Sequence, residues 1–132
     1  MEAKDLRIDN WVEFLGEEMQ LMGLTKHNGK NETARHYAEF KGLVPIKLMH
    51  VRPIPLTEEW LLKFGWIFNI ETDTYERYPN GDARMHLTYR GVNCSFDMLN
   101  YVLKSTICNS IKHVHQLQNL YHALTGEELK TN

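Results

Sequence analysis

Short apolar runs punctuated by glycine, proline and asparagine dominate the chain, and only two segments carry apolar residues at a clean helical spacing. Trp11-Val-Glu-Phe-Leu and Glu18-Met-Gln-Leu-Met-Gly-Leu-Thr flank Gly16-Glu17 and predict a hairpin. After the polar loop His27-Asn-Gly-Lys-Asn, the runs Ala34 to Phe40 and Leu43 to Val51 predict two more strands, separated at Lys41-Gly42. Pro45 offers no N–H to a ladder, so the second of these belongs at an edge or begins at the proline. Four short strands over this stretch predict a small, strongly bent sheet of the SH3-like kind, and an open meander fits nearly as well.

The prolines of Val51-Arg-Pro-Ile-Pro-Leu keep that segment extended up to Thr57, an N-cap residue followed by Glu58 and Glu59 where the helix dipole favours acids. Trp60, Leu61 and Phe64 then share one face, and Gly65 supplies the stop. Trp66 to Ile70, Thr74 to Tyr78, Ala83 to Arg90 and Val92 to Met98 alternate with turn residues and predict an antiparallel meander. Tyr101 to Ile111 fits strand and helix templates alike, with strand preferred. From about His113, Val114, Leu117, Leu120, Tyr121 and Leu124 recur at helical spacing until Gly126, and the polar Glu127 to Asn132 is expected to fray.

The predicted class is therefore α+β, mostly antiparallel β, with one short central helix and one C-terminal helix. A length of 132 residues suits a single domain, with a possible subdivision into a small β-sheet over 1–52 and a helix, meander and closing helix over 53–132. Hydrophobic residues at 42% and charged residues at 24% exclude a disordered chain. A formal net charge of -2 gives no overall field that would draw the protein to nucleic acid or an anionic membrane. No apolar stretch approaches the roughly 20 residues needed to span a bilayer, and the charged start has no signal-peptide pattern, so a cytoplasmic protein is expected. Cys94 and Cys108 are too few for a disulfide framework and read as thiols.

Chemistry-bearing motifs are scarce. Seven histidines occur without a Cys-x-x-Cys pair or His-Glu-x-x-His, and His113 and His115, two apart at a helix start, are expected to point to opposite sides, so no metal is expected. None of Ser95, Ser105, Ser110, Cys94 and Cys108 sits in a nucleophile elbow, and no phosphate loop or dinucleotide fingerprint is present, so neither catalytic residues nor a cofactor are expected. One constellation has more content: a strand over Ala83 to Arg90 places Arg84, His86, Thr88 and Arg90 on the face opposite Met85, Leu87 and Tyr89. Lys112 and His113 add donors ahead of a helix N-terminus, where an anion is favoured. Arg84, His86, Arg90, Lys112 and His113 are thus the candidate ligand-binding residues, for a nucleotide-like or otherwise phosphorylated ligand. The plainer reading of the strand is the solvated face of an amphipathic sheet, with Asp82, Glu76 and Asp97 neutralising it.

Three stretches, Asp5-Leu-Arg-Ile-Asp-Asn-Trp-Val, Pro53-Ile-Pro-Leu-Thr-Glu-Glu-Trp-Leu-Leu-Lys-Phe-Gly-Trp and Val114-His-Gln-Leu-Gln-Asn-Leu-Tyr-His-Ala-Leu-Thr-Gly-Glu-Glu-Leu, together resemble a family of short bacterial and phage-associated proteins. Glycine usually stands in that family where this chain has Asp9. The resemblance implies no reaction; it implies a role such as binding a host component or interfering with host defence. The expectation is a non-enzymatic binding protein, homo-oligomeric, that sequesters a small phosphorylated ligand. The alternative is a protein-interaction module docking on a host or phage protein through surplus aromatics and a sheet edge, with nucleic-acid binding third.

Overall fold

The computed structural model describes residues 1–27, 35–77, 84–89, 94–99 and 104–131, with side chains left aside at 27, 35, 84, 94–99 and 104–109. The N-terminal hairpin forms from Trp11–Phe14 (β1) and Glu17–Gln20 (β2), paired antiparallel with Phe14 opposite Glu17. Its two-residue loop is Leu15-Gly16, and φ values of +51° and +80° give it the handedness of a type I′ turn, which matches the twist of the flanking strands.

The strand expected to run on to Thr25 is instead two strands in two sheets. Leu21 is fully buried and exchanges backbone hydrogen bonds with the Asp9–Asn10 corner, its N–H to the Asn10 carbonyl at 2.8 Å and its carbonyl from the Asp9 N–H at 2.8 Å. Gly23–His27 (β3) then pairs with Arg35–Glu39 (β4). Gly23 opens β3 opposite Glu39, whose carboxylate oxygen lies 2.7 Å from where a Cβ would stand. Ile46–Lys47 (β5) follows Pro45 and occupies an edge beside β4, as the proline requires, before a 3-10 turn at Leu48–His50. Arg52–Pro53 (β6) returns to β1. The single bent sheet expected here is thus divided into two three-stranded sheets, β2-β1-β6 and β3-β4-β5, around a small core that includes Leu6, Val12, Leu21, Phe40 and Val51.

Thr57 caps Glu58–Lys63 (α1), its hydroxyl accepting from the Trp60 N–H at 3.3 Å, and Gly65 ends the turn at φ +84°. Trp60, Leu61 and Phe64 are buried against the larger core. The meander forms as Ile67–Asn69 (β7), Thr74–Arg77 (β8), Arg84–Tyr89 (β9), Cys94–Leu99 (β10) and Lys104–Ile111 (β11), an antiparallel sheet in sequence order. Residues 104–111 of the ambiguous stretch are strand, while 101–103 lie outside the described residues. Val114–Thr125 (α2) closes the fold and stops at Gly126, φ +75°. Backbone bonds from Leu56 N–H to the Lys112 carbonyl (2.9 Å) and from Val114 N–H to the Ile54 carbonyl (2.9 Å) tie its start to the segment before α1.

The tail corrects the expectation of fraying: Leu129 is 1% exposed within the larger core, and Glu128 pairs with Arg7. The lone leucine in a polar segment supplies the apolar burial that outweighs chain entropy there. Among the described residues no helix is long and apolar enough to cross a membrane.

Candidate functional site

The sequence blocks around residues 5–12 and 114–129 meet through a buried polar network. Gln118, fully buried, accepts at Oε1 from the Trp11 N–H (2.8 Å) and donates from Nε2 to the Asp9 carbonyl (3.0 Å). Asn10, also fully buried, donates to Asn119 Oδ1 (2.9 Å) and accepts at Oδ1 from the Arg7 N–H (2.8 Å). Asp9 sits at φ +76°, so the tight turn forms with an aspartate where glycine would carry no steric cost. Asn119 in turn donates to the Asp5 carbonyl at 2.9 Å, which fixes the 3-10 turn Ala3–Asp5 beside the N-terminal end of α2.

That juxtaposition creates a groove of about 670 Å³, lined among others by Lys4, Asp5, Pro53, His113, His115 and Gln116. His113 is the N-cap, with extended backbone (φ -128°, ψ 152°), so the helical projection that would separate it from His115 does not apply. The two imidazoles stack instead, centroids 5.8 Å apart and planes 19° apart. His115 is 5% exposed, and its Nδ1 has no hydrogen-bond partner among the described residues. Burial, then the neighbouring His113, pushes its pKa down to about 4 against the opposing pull of Asp5, so the ring is neutral at physiological pH. One ring nitrogen then donates and the other accepts.

Gln116 turns Oε1 back to accept from the N–H groups of Lys112 (2.9 Å) and His113 (3.0 Å), which leaves its Nε2 as the amide atom available to the groove. The helix end itself has few spare donors, since the Val114 and Gln116 N–H groups already bond the Ile54 and His113 carbonyls. Positive charge comes from Lys4, whose ammonium is held above its ordinary pKa by a hydrogen bond with Glu2, then by the charges of Glu2 and Asp5. Lys4 lies 3.1 Å from the Glu2 carboxylate with both side chains exposed, so the contact is readily exchanged.

Of the residues predicted from sequence, Lys112 and His113 stand together at the start of α2, Lys112 exposed and His113 in the groove wall. His86 does not stand on a wet face. It is 5% exposed, its Nδ1 lies 3.1 Å from the Thr74 hydroxyl, and its Nε2 lies 3.6 Å from Glu76, itself 6% exposed. Met85, His86 and Leu87 are all buried, with His86 set between the Thr74 hydroxyl and the Glu76 carboxylate of the neighbouring strand. Arg84 opens β9 opposite Leu99, and Arg90 lies outside the described residues. Among the described residues no group of three or more metal-ligating side chains assembles. His115 was the residue to find; its signal was the i, i+2 spacing to a histidine at an N-cap, where the backbone is still extended.

No protein-family model, curated protein or solved structure matches the chain. The fold and groove geometry alone therefore define the class: an α+β protein, mostly antiparallel β, with a ligand-sized groove at the N-terminal end of its longer helix.

Proposed function

We propose that the chain is a non-enzymatic binding protein whose groove beside α2 takes a small nucleotide-like ligand. The observation that carries this reading is the groove wall itself, where His113 stacks on the buried, neutral His115 beside the Gln116 amide. A planar base matches the stacked imidazoles, Gln116 Nε2 suits a carbonyl or ring-nitrogen acceptor, and the Lys4 ammonium suits a phosphate. The resemblance to phage-associated proteins supports sequestration of a host signal as the purpose of such binding.

A thermal-shift panel of nucleotides and cyclic nucleotides tests this. A ligand at one hundred times its Kd stabilises by about 2.7 kcal/mol, a readily measured rise in Tm. His113→Ala removes the ligand-induced rise, measured against the variant's own unliganded Tm, which falls because loss of the N-cap side chain costs about 0.5–2 kcal/mol of stability. A panel that leaves Tm flat refutes the reading. The alternative, a module docking on another copy or a host protein, is favoured by Ile67 (69% exposed), Phe68 (44%) and Ile70 (85%) on and beside the edge strand β7. Light scattering that gives the monomer mass alone counts against self-association.

A further inference from the structure

A second groove, of about 490 Å³, adjoins the one beside α2, because Met1 and Lys4 line both. Ala3, His36 and Leu48 stand in its wall, so the 3-10 turn Ala3–Asp5 contributes to the two grooves alike. That shared wall is fixed in place. The Asp5 N–H donates to the Glu2 carbonyl at 3.1 Å and the Leu6 N–H to the Ala3 carbonyl at 3.2 Å. Leu6 is buried in the smaller core with Met1 and Ala3 packed against it, while Asn119 of α2 holds the Asp5 carbonyl. The grooves are thus two halves of one cleft, divided by a turn anchored on both sides.

Each half offers a flat ring. His113 stands in the first, stacked on His115, and the half-buried His36 of β4 stands in the second. Imidazole faces are among the surfaces on which nucleobases stack. Both volumes fall within the range of small-ligand sites. Lys4, common to the two halves, supplies a positive charge between the rings, and its neighbours limit how much negative charge a ligand can bring. Glu2 lies 3.1 Å from the ammonium, and Asp5 follows it in the chain. One ammonium among two carboxylates suits a single negative charge and repels a run of phosphates.

We propose, resting on the nucleotide reading of the groove beside α2, that the whole cleft binds a dinucleoside monophosphate, with one base against His113, the other against His36, and the bridging phosphodiester on Lys4 in exchange for Glu2. The Lys4–Glu2 pair is exposed on both sides, so the exchange meets little resistance.

Calorimetry on the full chain at physiological salt compares adenylyl-adenosine, adenosine monophosphate and ATP. Adenylyl-adenosine is expected to bind about ten-fold or more tightly than the monophosphate, because its second base docks intramolecularly. ATP is expected to bind more weakly than either, since its phosphates meet Glu2 and Asp5. His36→Ala brings adenylyl-adenosine to the affinity of the monophosphate and leaves the monophosphate's own affinity unchanged, which also shows that the variant is folded. His36→Phe keeps a flat ring and restores the gain, and Glu2→Gln frees Lys4 and tightens both ligands several-fold. The two-base cleft is overturned, and the nucleotide reading of the α2 groove stands, if the monophosphate binds and adenylyl-adenosine gains nothing over it, if the gain survives His36→Ala, or if ATP binds most tightly of the three. If none of the three binds, both fall together.

Discussion

Replacing Gln118 by leucine isolates the polar network that joins the N-terminal segment to α2. The leucine keeps the approximate volume of a fully buried side chain, so the cost comes from hydrogen bonding and not from a cavity. The Trp11 N–H loses its acceptor at 2.8 Å, and an unsatisfied donor in such a setting costs about 1–3 kcal/mol. The bond to the Asp9 carbonyl is lost as well, at about 1 kcal/mol, since that carbonyl keeps the Gln20 amide at 3.1 Å. Asn10 Nδ2 loses a long 3.5 Å contact with Gln118 Oε1 but keeps Asn119 at 2.9 Å, so little is added there. The expected total is about 2–4 kcal/mol, read in urea as a lower midpoint at unchanged slope. Gln118→Glu sharpens the test: it preserves an acceptor for Trp11 but buries a carboxyl whose pKa burial raises. Its folded form then holds more protons than its unfolded form, so its deficit against wild type shrinks on acidification and grows as pH rises above about 4.3. A leucine variant within 0.5 kcal/mol of wild type, or a glutamate variant with no such pH trend, refutes the reasoning.

The remaining predictions concern single positions. His115 has a folded pKa of about 4, below its unfolded value, so stability is fully present above about pH 6.5 and falls as pH drops toward 4. The loss is about 1–3 kcal/mol, and His115→Gln is expected to remove it from the stability–pH difference curve; parallel curves count against it. Leu15→Asn is expected to stabilise by roughly 0.5–1 kcal/mol, because Leu15 is 85% exposed at φ +51°, a conformation asparagine tolerates better; urea unfolding reads it directly. Leu129→Ala is expected to cost about 2–4 kcal/mol by opening a cavity in the larger core, whereas a fraying tail would show almost nothing.

Much of the fold could be read because its signals are local. Thr57 before two glutamates marked α1, the spacing of Val114, Leu117 and Tyr121 marked α2, and Gly65 and Gly126 took the left-handed conformations that end both helices. What could not be read depends on partners distant in the chain. Leu21 ends β2 because Asp9 and Asn10 take its backbone groups, and the chain then pairs Gly23 with Glu39 in another sheet. Leu129 looks solvated until the larger core is in place. The site divided in the same way. His113 was legible from its position before a helix, whereas His115 became a wall residue only once the 3-10 turn at Ala3–Asp5 packed beside it. His86 was misplaced because a period of two assigns a face without saying whether anything covers that face.

The larger sheet joins β7 to β11 strictly in order of sequence, so every pairing in it closes only the short connection between neighbours. Assembly of that sheet demands little loop entropy and can proceed by successive zippering. Docking of Trp11 on Gln118, by contrast, brings together positions 107 apart. The meander is therefore expected to consolidate early, with the N-terminal sheets arriving afterwards and opening first under native conditions, a sequence of events that amide exchange would display as earlier labelling of β1 than of β8.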